Sequence, residues 1–374
     1  MKEKQQREAC AIKTSIGGQA LMEGIMMRGP KKTAMAVRNT KGEIVVEEME
    51  TKVAKRPAIC RWPIIRGVFG FIDSMTLGYK CLMRSAELSG LEDLVEEDPK
   101  KKKRREKEVV QTTIDVGGRT VTAEACDEAE KAPAEDAEKK ADEATGEKMP
   151  SWMMTVMMVV AVILALAIAI GLFFLAPSAL FELISAHVPF LKGENAALNS
   201  LWKSVFEGVF KILLLVGYMA AVSLMKDIRR TFMYHGAEHK TIFCYEAGLE
   251  LTVENIRKQR RFHPRCGTSF LILMLLVSIF VSFFIDPVSI ALTGSTLALG
   301  WRTLVRFLML PLVMGLGYEL IKLAGRHDNL FTRIISMPGV WLQHITVFEP
   351  TDDMIECAIQ AMTKVIPTDE SDRW

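Results

Sequence analysis

From Trp152 to Ala176 the chain runs for about 25 residues without a charged side chain. A hydrocarbon layer about 30 Å thick needs about 20 such residues in a helix. Water-soluble domains do not tolerate such a run, whereas a helix in lipid satisfies its own backbone hydrogen bonds where water is absent. Three further runs follow. Leu201–Met225 is interrupted only by Lys203 near its start and by Glu207 and Lys211, the last two spaced i, i+4 so that they can neutralise each other. Thr268–Ile285 lies at the short end of the spanning range. Trp301–Ala324 has Pro311 as an expected kink, with Arg302 and Arg306 placed to snorkel near its start. Ser178–Leu191 is too short to span and reads as an interfacial or re-entrant stretch. The expected fold class is therefore mainly α: a polytopic membrane protein with about four transmembrane helices and a small cytoplasmic α+β N-terminal region.

Charge orients the spans. Residues 226–267 hold nine basic side chains: Lys226, Arg229, Arg230, Lys240, Arg257, Lys258, Arg260, Arg261 and Arg265. Residues 177–200 hold only Lys192, and 286–300 hold none. Basic loops stay in the cytoplasm. Both termini and the 226–267 loop are therefore expected on the cytoplasmic side of a cell membrane. The polar first fifteen residues predict no targeting peptide. A net charge of +2 points to no polyanion, and nucleic acid is not an expected partner. The seven cysteines form no C-x-x-C pair and fall on the expected cytoplasmic side, where thiols stay reduced.

Four regions are expected. In the N-terminal region, 14–90, the Gly- and Met-rich stretch Ser15–Pro30 lacks the spacing of a nucleotide loop. Ala34–Arg38 and Glu43–Glu47 alternate around Asn39–Gly42 and predict a β-hairpin. Ile59–Leu88 reads as one or two amphipathic helices, lying on the inner leaflet or packed against cytoplasmic loops. Residues 91–150, with six consecutive basic residues in Lys100–Arg105 and an Ala, Glu, Asp and Lys-rich tract after them, read as a charged, disordered linker. Residues 151–325 are the membrane domain, and 326–374 a cytoplasmic C-terminal region. There Thr351 is expected to cap a helix with Asp352 and Asp353 in its first turn and Met354, Ile355, Ala358, Ile359 and Met362 as its core stripe.

The chemistry concentrates in the basic loop. Residues 235–239 read His-Gly-Ala-Glu-His. On a helix His235 and His239 share one face with Glu238 beside them. Neutral imidazoles suit Zn²⁺, and a carboxylate next to such an ion serves as general base, as in the inverted relative of the H-E-x-x-H helix. A second group, His263-Pro-Arg-Cys266, sets a further imidazole and a thiol three residues apart. Joined to the first it makes a closed tetrahedral site. Glu319, near the inner end of the last span, offers a carboxylate for an open, catalytic one. Bland alternatives stand beside these: interfacial histidines, and a Glu319–Lys322 pair one turn apart. Cys266 as a nucleophile activated by His263, with Arg260, Arg261 and Arg265 around it, ranks below metal binding.

Several segments carry a family resemblance. They are Ile-Gly-Gly-Gln-Ala-Leu-Met-Glu-Gly-Ile-Met-Met-Arg-Gly-Pro near the N-terminus, Tyr-His-Gly-Ala-Glu-His-Lys, Leu-Thr-Val-Glu-Asn, Phe-His-Pro-Arg-Cys-Gly-Thr-Ser-Phe and Gly-Tyr-Glu-Leu-Ile-Lys-Leu-Ala-Gly. Over about residues 14–90 and 150–365 the chain resembles the YqhQ-like family of bacterial membrane proteins, a family of unknown function sometimes labelled predicted metal-dependent enzymes. The resemblance implies a multi-pass membrane protein and brings no catalytic residue set. The segment Trp-Leu-Gln-His-Ile-Thr-Val-Phe-Glu-Pro departs from the Thr-Thr-bearing form expected there, which weakens any role for it. The functional expectation is a zinc hydrolase acting on a peptide or lipid-linked substrate. His235 and His239 would bind the metal, Glu238 would activate water, and Glu319, His263 or Cys266 would complete the shell. The opposing expectation is an assembly or scaffold protein with a structural metal site. Metal-ion transport is less favoured, because Glu207, Lys211 and Glu319 are few polar groups for an ion path.

Overall fold

The computed structural model describes residues 12–51, 57–90, 151–188, 196–327 and 329–372. The expected linker, 91–150, lies outside the described residues. The chain divides into two units, residues 96–174 and the remainder.

The larger unit begins with an antiparallel meander in sequence order: β1 (Gly17–Leu21), β2 (Gly24–Arg28), β3 (Lys32–Arg38) and β4 (Ile44–Glu50). The β3–β4 hairpin predicted by alternation forms with Arg38 opposite Ile44. Its turn is closed by the Asn39 side-chain oxygen, which accepts from the amides of Lys41 and Glu43, and Gly42 supplies the left-handed step at φ 84°. The β1–β2 hairpin carries no alternating signal, because β2 buries four consecutive residues, Gly24 to Met27. A strand covered on both faces loses the in-out pattern.

Those two covers are distinct. One cluster joins Ile25, Met27, Ala34 and Ala36 to Tyr234, Ala237, Met354, Ile355 and Met362. The other joins Leu21, Met26, Met35 and Val37 to Cys81, with Leu77, Leu82 and Leu88 against it. The second comes from a single helix, α1 (Ile65–Leu88). In the smaller unit α2 spans Ser151–Ile170.

The remaining helices are α3 (Ala176–His187), α4 (Ala196–Ser223), α5 (Lys226–Glu246), α6 (Val253–Arg257), α7 (Gly267–Thr293), α8 (Leu299–Leu308), α9 (Leu310–Arg326), α10 (Leu330–Thr346) and α11 (Asp352–Val365). Helix α11 begins after Thr351, whose side chain makes no capping bond, and buries Met354, Ile355, Ala358 and Met362. Among the described residues three helical runs, Val156–His187, Leu198–Ser223 and Gly267–Thr293, are long and apolar enough to cross a membrane. Helices α8 and α9, bent by 44°, make a fourth if the pair counts as one span. The protein is thus mainly helical, with a small sheet near its N-terminus.

Three sequence expectations change. Ser178 and its neighbours are not a separate re-entrant stretch. They belong to a helical run that passes through a π turn at Gly171–Leu175, after which Pro177 sits in the first turn of α3, where its missing N–H costs little. Helix α7 does not stop at Ile285; it continues through Pro287 to a left-handed cap at Gly294. Arg302 and Arg306 do not snorkel, but are buried. Arg306 binds Glu207, whose other oxygen accepts from Ser178 at 2.5 Å, and Arg302 lies 3.0 Å from Asp286. Glu207 is therefore neutralised across helices, not only by Lys211 on its own.

Candidate metal centre

Helix α5 is buried on nearly every side from Tyr234 to Cys244. Gly236 permits this, since a Cβ there would strike the carbonyl of Phe348 in the strand-like segment after α10. His235, Glu238 and His239 project together, as i, i+3, i+4 spacing requires. Cys266 is the residue that caps α7, its sulfur 3.4 Å from the Thr268 amide.

The three ligand-type residues meet. His235 Nε2 lies 3.0 Å from Cys266 Sγ, the His235 and His239 rings are 4.4 Å apart, and one ligand atom from each of His235, His239 and Cys266 lies within 4.8 Å of the others. Both imidazoles are oriented from behind. His235 Nδ1 is 3.0 Å from the Thr346 carbonyl, and His239 Nδ1 is 2.6 Å from the Arg261 carbonyl. Nitrogens donating to carbonyls leave each Nε2 bare and turned inward, the arrangement that supports imidazole as a metal ligand. Buried His239 Nε2 and Glu238 Oε2 have no hydrogen-bond partner among the described residues.

Burial sets the electrostatics. It pushes the Glu238 carboxyl up to about 7, against the opposing pull of His235 and the Gly18 amide. It likewise holds His239 below the ordinary imidazole value. For Cys266 burial works upward, but His239 and the hydroxyl and amide of Thr268 outweigh it and favour the thiolate.

A cavity of about 140 Å³ opens on these groups, lined by Thr14, Gly18, Glu238, His239, His263 and Cys266 among others. Its roof is the start of β1. A Cβ on Gly18 would come within 2.9 Å of the Glu238 carboxyl carbon, so only glycine fits there. Thr14 is fixed in turn from the far end of the chain, its hydroxyl donating to Asp372 at 2.7 Å. A larger cavity of about 540 Å³ between α7, α8 and α9 is lined almost wholly by apolar residues such as Phe284, Val288 and Leu312 and offers no chemistry.

The other two expected ligands lie elsewhere. His263 is close, its ring 5.5 Å from that of His239, but it is turned away. Its Nδ1 accepts from the Arg265 amide at 3.2 Å and its Nε2 lies 3.9 Å from Glu246, which also binds the Arg265 side chain and the Thr14 amide. Glu319 is not brought to the cluster. Both of its oxygens accept from Arg66 of α1, one from Nε at 2.6 Å, so Arg66 is a partner that the proximity of Lys322 in sequence did not suggest. Gln343 and Thr346, which hold the site from α10, carry no motif; a glutamine in an otherwise apolar stretch was the one available signal.

The result is a membrane protein with a His/His/Cys cluster able to coordinate a metal ion. The chain belongs to the family described as "Protein of unknown function (DUF1385)", which matches residues 62–368. It is 29% identical over 359 residues to the uncharacterized protein YqhQ of Bacillus subtilis (strain 168), an alignment covering 95% of this chain and 93% of that relative. No solved structure matches it.

Proposed function

We propose that the protein is a zinc-dependent hydrolase of the cell membrane, working at the cytoplasmic face on a peptide or lipid-linked substrate. The observation that carries this reading is the pair of unpartnered buried atoms, His239 Nε2 and Glu238 Oε2, on one small cavity beside Cys266. An unsatisfied buried polar atom costs roughly 1–3 kcal/mol, and such groups persist where a ligand completes them.

His235 Nε2, His239 Nε2 and Cys266 Sγ would hold the ion, a donor set of two imidazoles and one thiolate that suits Zn²⁺. Zinc there supplies a Lewis acid and acidifies water. Glu238 would accept a proton from water at its unpartnered Oε2 and would hand it on to the leaving group. The Thr346 and Arg261 carbonyls keep the imidazoles in the ligating tautomer, and Gly18 and Thr14 limit bulk water from above. The orientation of His263 toward Glu246 favours this open site over a closed structural one.

The reading includes four spans with both termini and residues 226–267 in the cytoplasm, supported by the nine-to-one contrast in basic residues between the loops 226–267 and 177–200. Cysteines introduced at Glu250 and Thr296 test it. An impermeant thiol reagent on intact cells should label only the second, and labelling of the first overturns the orientation. Metal analysis and X-ray absorption on purified protein test the site. One zinc per chain with two imidazoles, one sulfur and one further light atom is expected. A shell filled by four protein side chains would replace the hydrolase with a structural site.

A further inference from the structure

Helix α10 is amphipathic in an inverted sense. Its inward stripe, Thr332, Gly339, Leu342, Gln343 and Thr346, is largely polar or small and is buried. Its outward stripe, Leu330, Phe331, Ile334, Met337 and Trp341, is large, apolar and exposed, Leu330 by 75% and Trp341 by 67%. A helix in water shows the opposite order. The stripe also adjoins a membrane-length helix: α10 packs along α7, Gly339 lying so close to Ser269 that no side chain fits between them. Lipid is the occupant consistent with that continuity.

The same helix grips the metal centre. The Gln343 side chain is fully buried. Its Oε1 accepts from the His263 amide at 2.8 Å, and its Nε2 donates to the His263 carbonyl at 2.7 Å and lies 3.1 Å from Ser269 Oγ. Both backbone groups of His263 are thereby fixed, three residues before Cys266. One turn further on, the Thr346 carbonyl fixes His235. A single turn of α10 thus holds one candidate ligand, His235, directly and fixes the backbone that leads to another, Cys266.

We propose that α10 lies in the lipid interface and that Gln343 is the positioning residue through which it holds the metal ligands, an inference that rests on the metal reading above. Seating of this helix in the bilayer then determines whether the turn 263–266 presents its thiolate to the two imidazoles. Outer-shell partners of this kind typically govern metal affinity by 10–100-fold.

The test is Co²⁺ titration of the full chain in lipid nanodiscs, followed by its visible and thiolate charge-transfer absorption. Gln343→Met keeps the volume and removes every hydrogen bond. Its Co²⁺ affinity should fall about 10–100-fold with a shifted spectrum. Gln343→Glu retains the acceptor for the His263 amide and should recover part of the loss. If the folded fraction of Gln343→Met binds Co²⁺ with unchanged affinity and spectrum, the positioning role is wrong. Should that variant not accumulate, Gln343→Glu decides: wild-type affinity and spectrum in it would count against the proposal. Seating is read from quenching by brominated acyl chains, comparing wild type with Trp341→Phe. A quenchable component that disappears in the variant is expected, and its absence from wild type overturns the lipid contact. Wild-type protein that binds no Co²⁺ would bring down the zinc reading as well, whereas binding that is indifferent to Gln343 brings down this proposal alone.

Discussion

His235 Nε2 and Cys266 Sγ stand 3.0 Å apart across 31 residues of sequence. That contact joins the middle of α5 to the N-terminus of α7, where the partial positive charge of a helix end favours a thiolate. It brings Cys266, though not His263, from the second ligand group to the histidines of the first.

His235→Ala and His239→Ala should each abolish stoichiometric zinc, because a two-ligand remnant binds weakly. Cys266→Ser should retain a weaker site, since a hydroxyl is the poorer ligand. Elemental analysis of purified protein and competition with a chromophoric chelator measure both. Full zinc occupancy in either alanine variant would remove the histidine from the ligand set.

Glu238→Gln should keep the metal while losing activity, and in the metal-free protein it should show a defined pH signature. The folded carboxyl titrates near 7 against an ordinary 4.5. The folded state therefore binds the extra proton between these values, and stability from this group is present at low pH and lost as pH rises through about 7. His239 and His263 act oppositely, since values below 6.5 cost stability on acidification. Thermal unfolding should show the variant gaining on wild type between about pH 5 and about pH 8, by up to roughly 3 kcal/mol. A difference that stays constant with pH would mean that Glu238 is not buried as a neutral acid.

Glu207→Gln should destabilise the membrane region by roughly 3–5 kcal/mol, because it leaves the buried Arg306 without its carboxylate, whereas Arg306→Gln should cost less, since Arg302 lies 3.9 Å from Glu207 and Ser178 still donates to it. The double variant should recover much of that loss. Heat-induced unfolding in detergent, read for all three, checks the coupling. Additive losses would mean that the pair does not interact.

Glu319→Gln should leave zinc content untouched, since its carboxylate is engaged by Arg66. Loss of metal in this variant would restore it to the ligand shell.

What the sequence disclosed followed the range of its signals. His235, Glu238 and His239 were legible because one helical turn brings them together, and the apolar runs because lipid imposes length. The β3–β4 hairpin was legible through its alternation and its Asn39–Gly42 turn. Glu319 was misleading because its partner Arg66 lies 253 residues earlier, where no local pattern reaches. Arg302, Arg306 and Asp286 were read as interface or loop residues, since nothing local announces pairing across α4, α7 and α8. Gln343 left only the faint mark of a glutamine in an apolar stretch, and Gly18 left none. One acts through an amide, the other through the absence of a side chain.

The clasp between Thr14 and Asp372 has a consequence for how the protein is made. The cavity roof is tied to a residue translated 358 positions after Thr14, and Gln343 and Thr346 also emerge well after α5. A ribosome-bound chain can insert its apolar runs and form α5 with both histidines in place, yet it lacks the roof anchor and the brace behind His235. The centre is then completed only once α10 and Asp372 have emerged, and truncation ahead of α10 should cost the site before it costs membrane insertion.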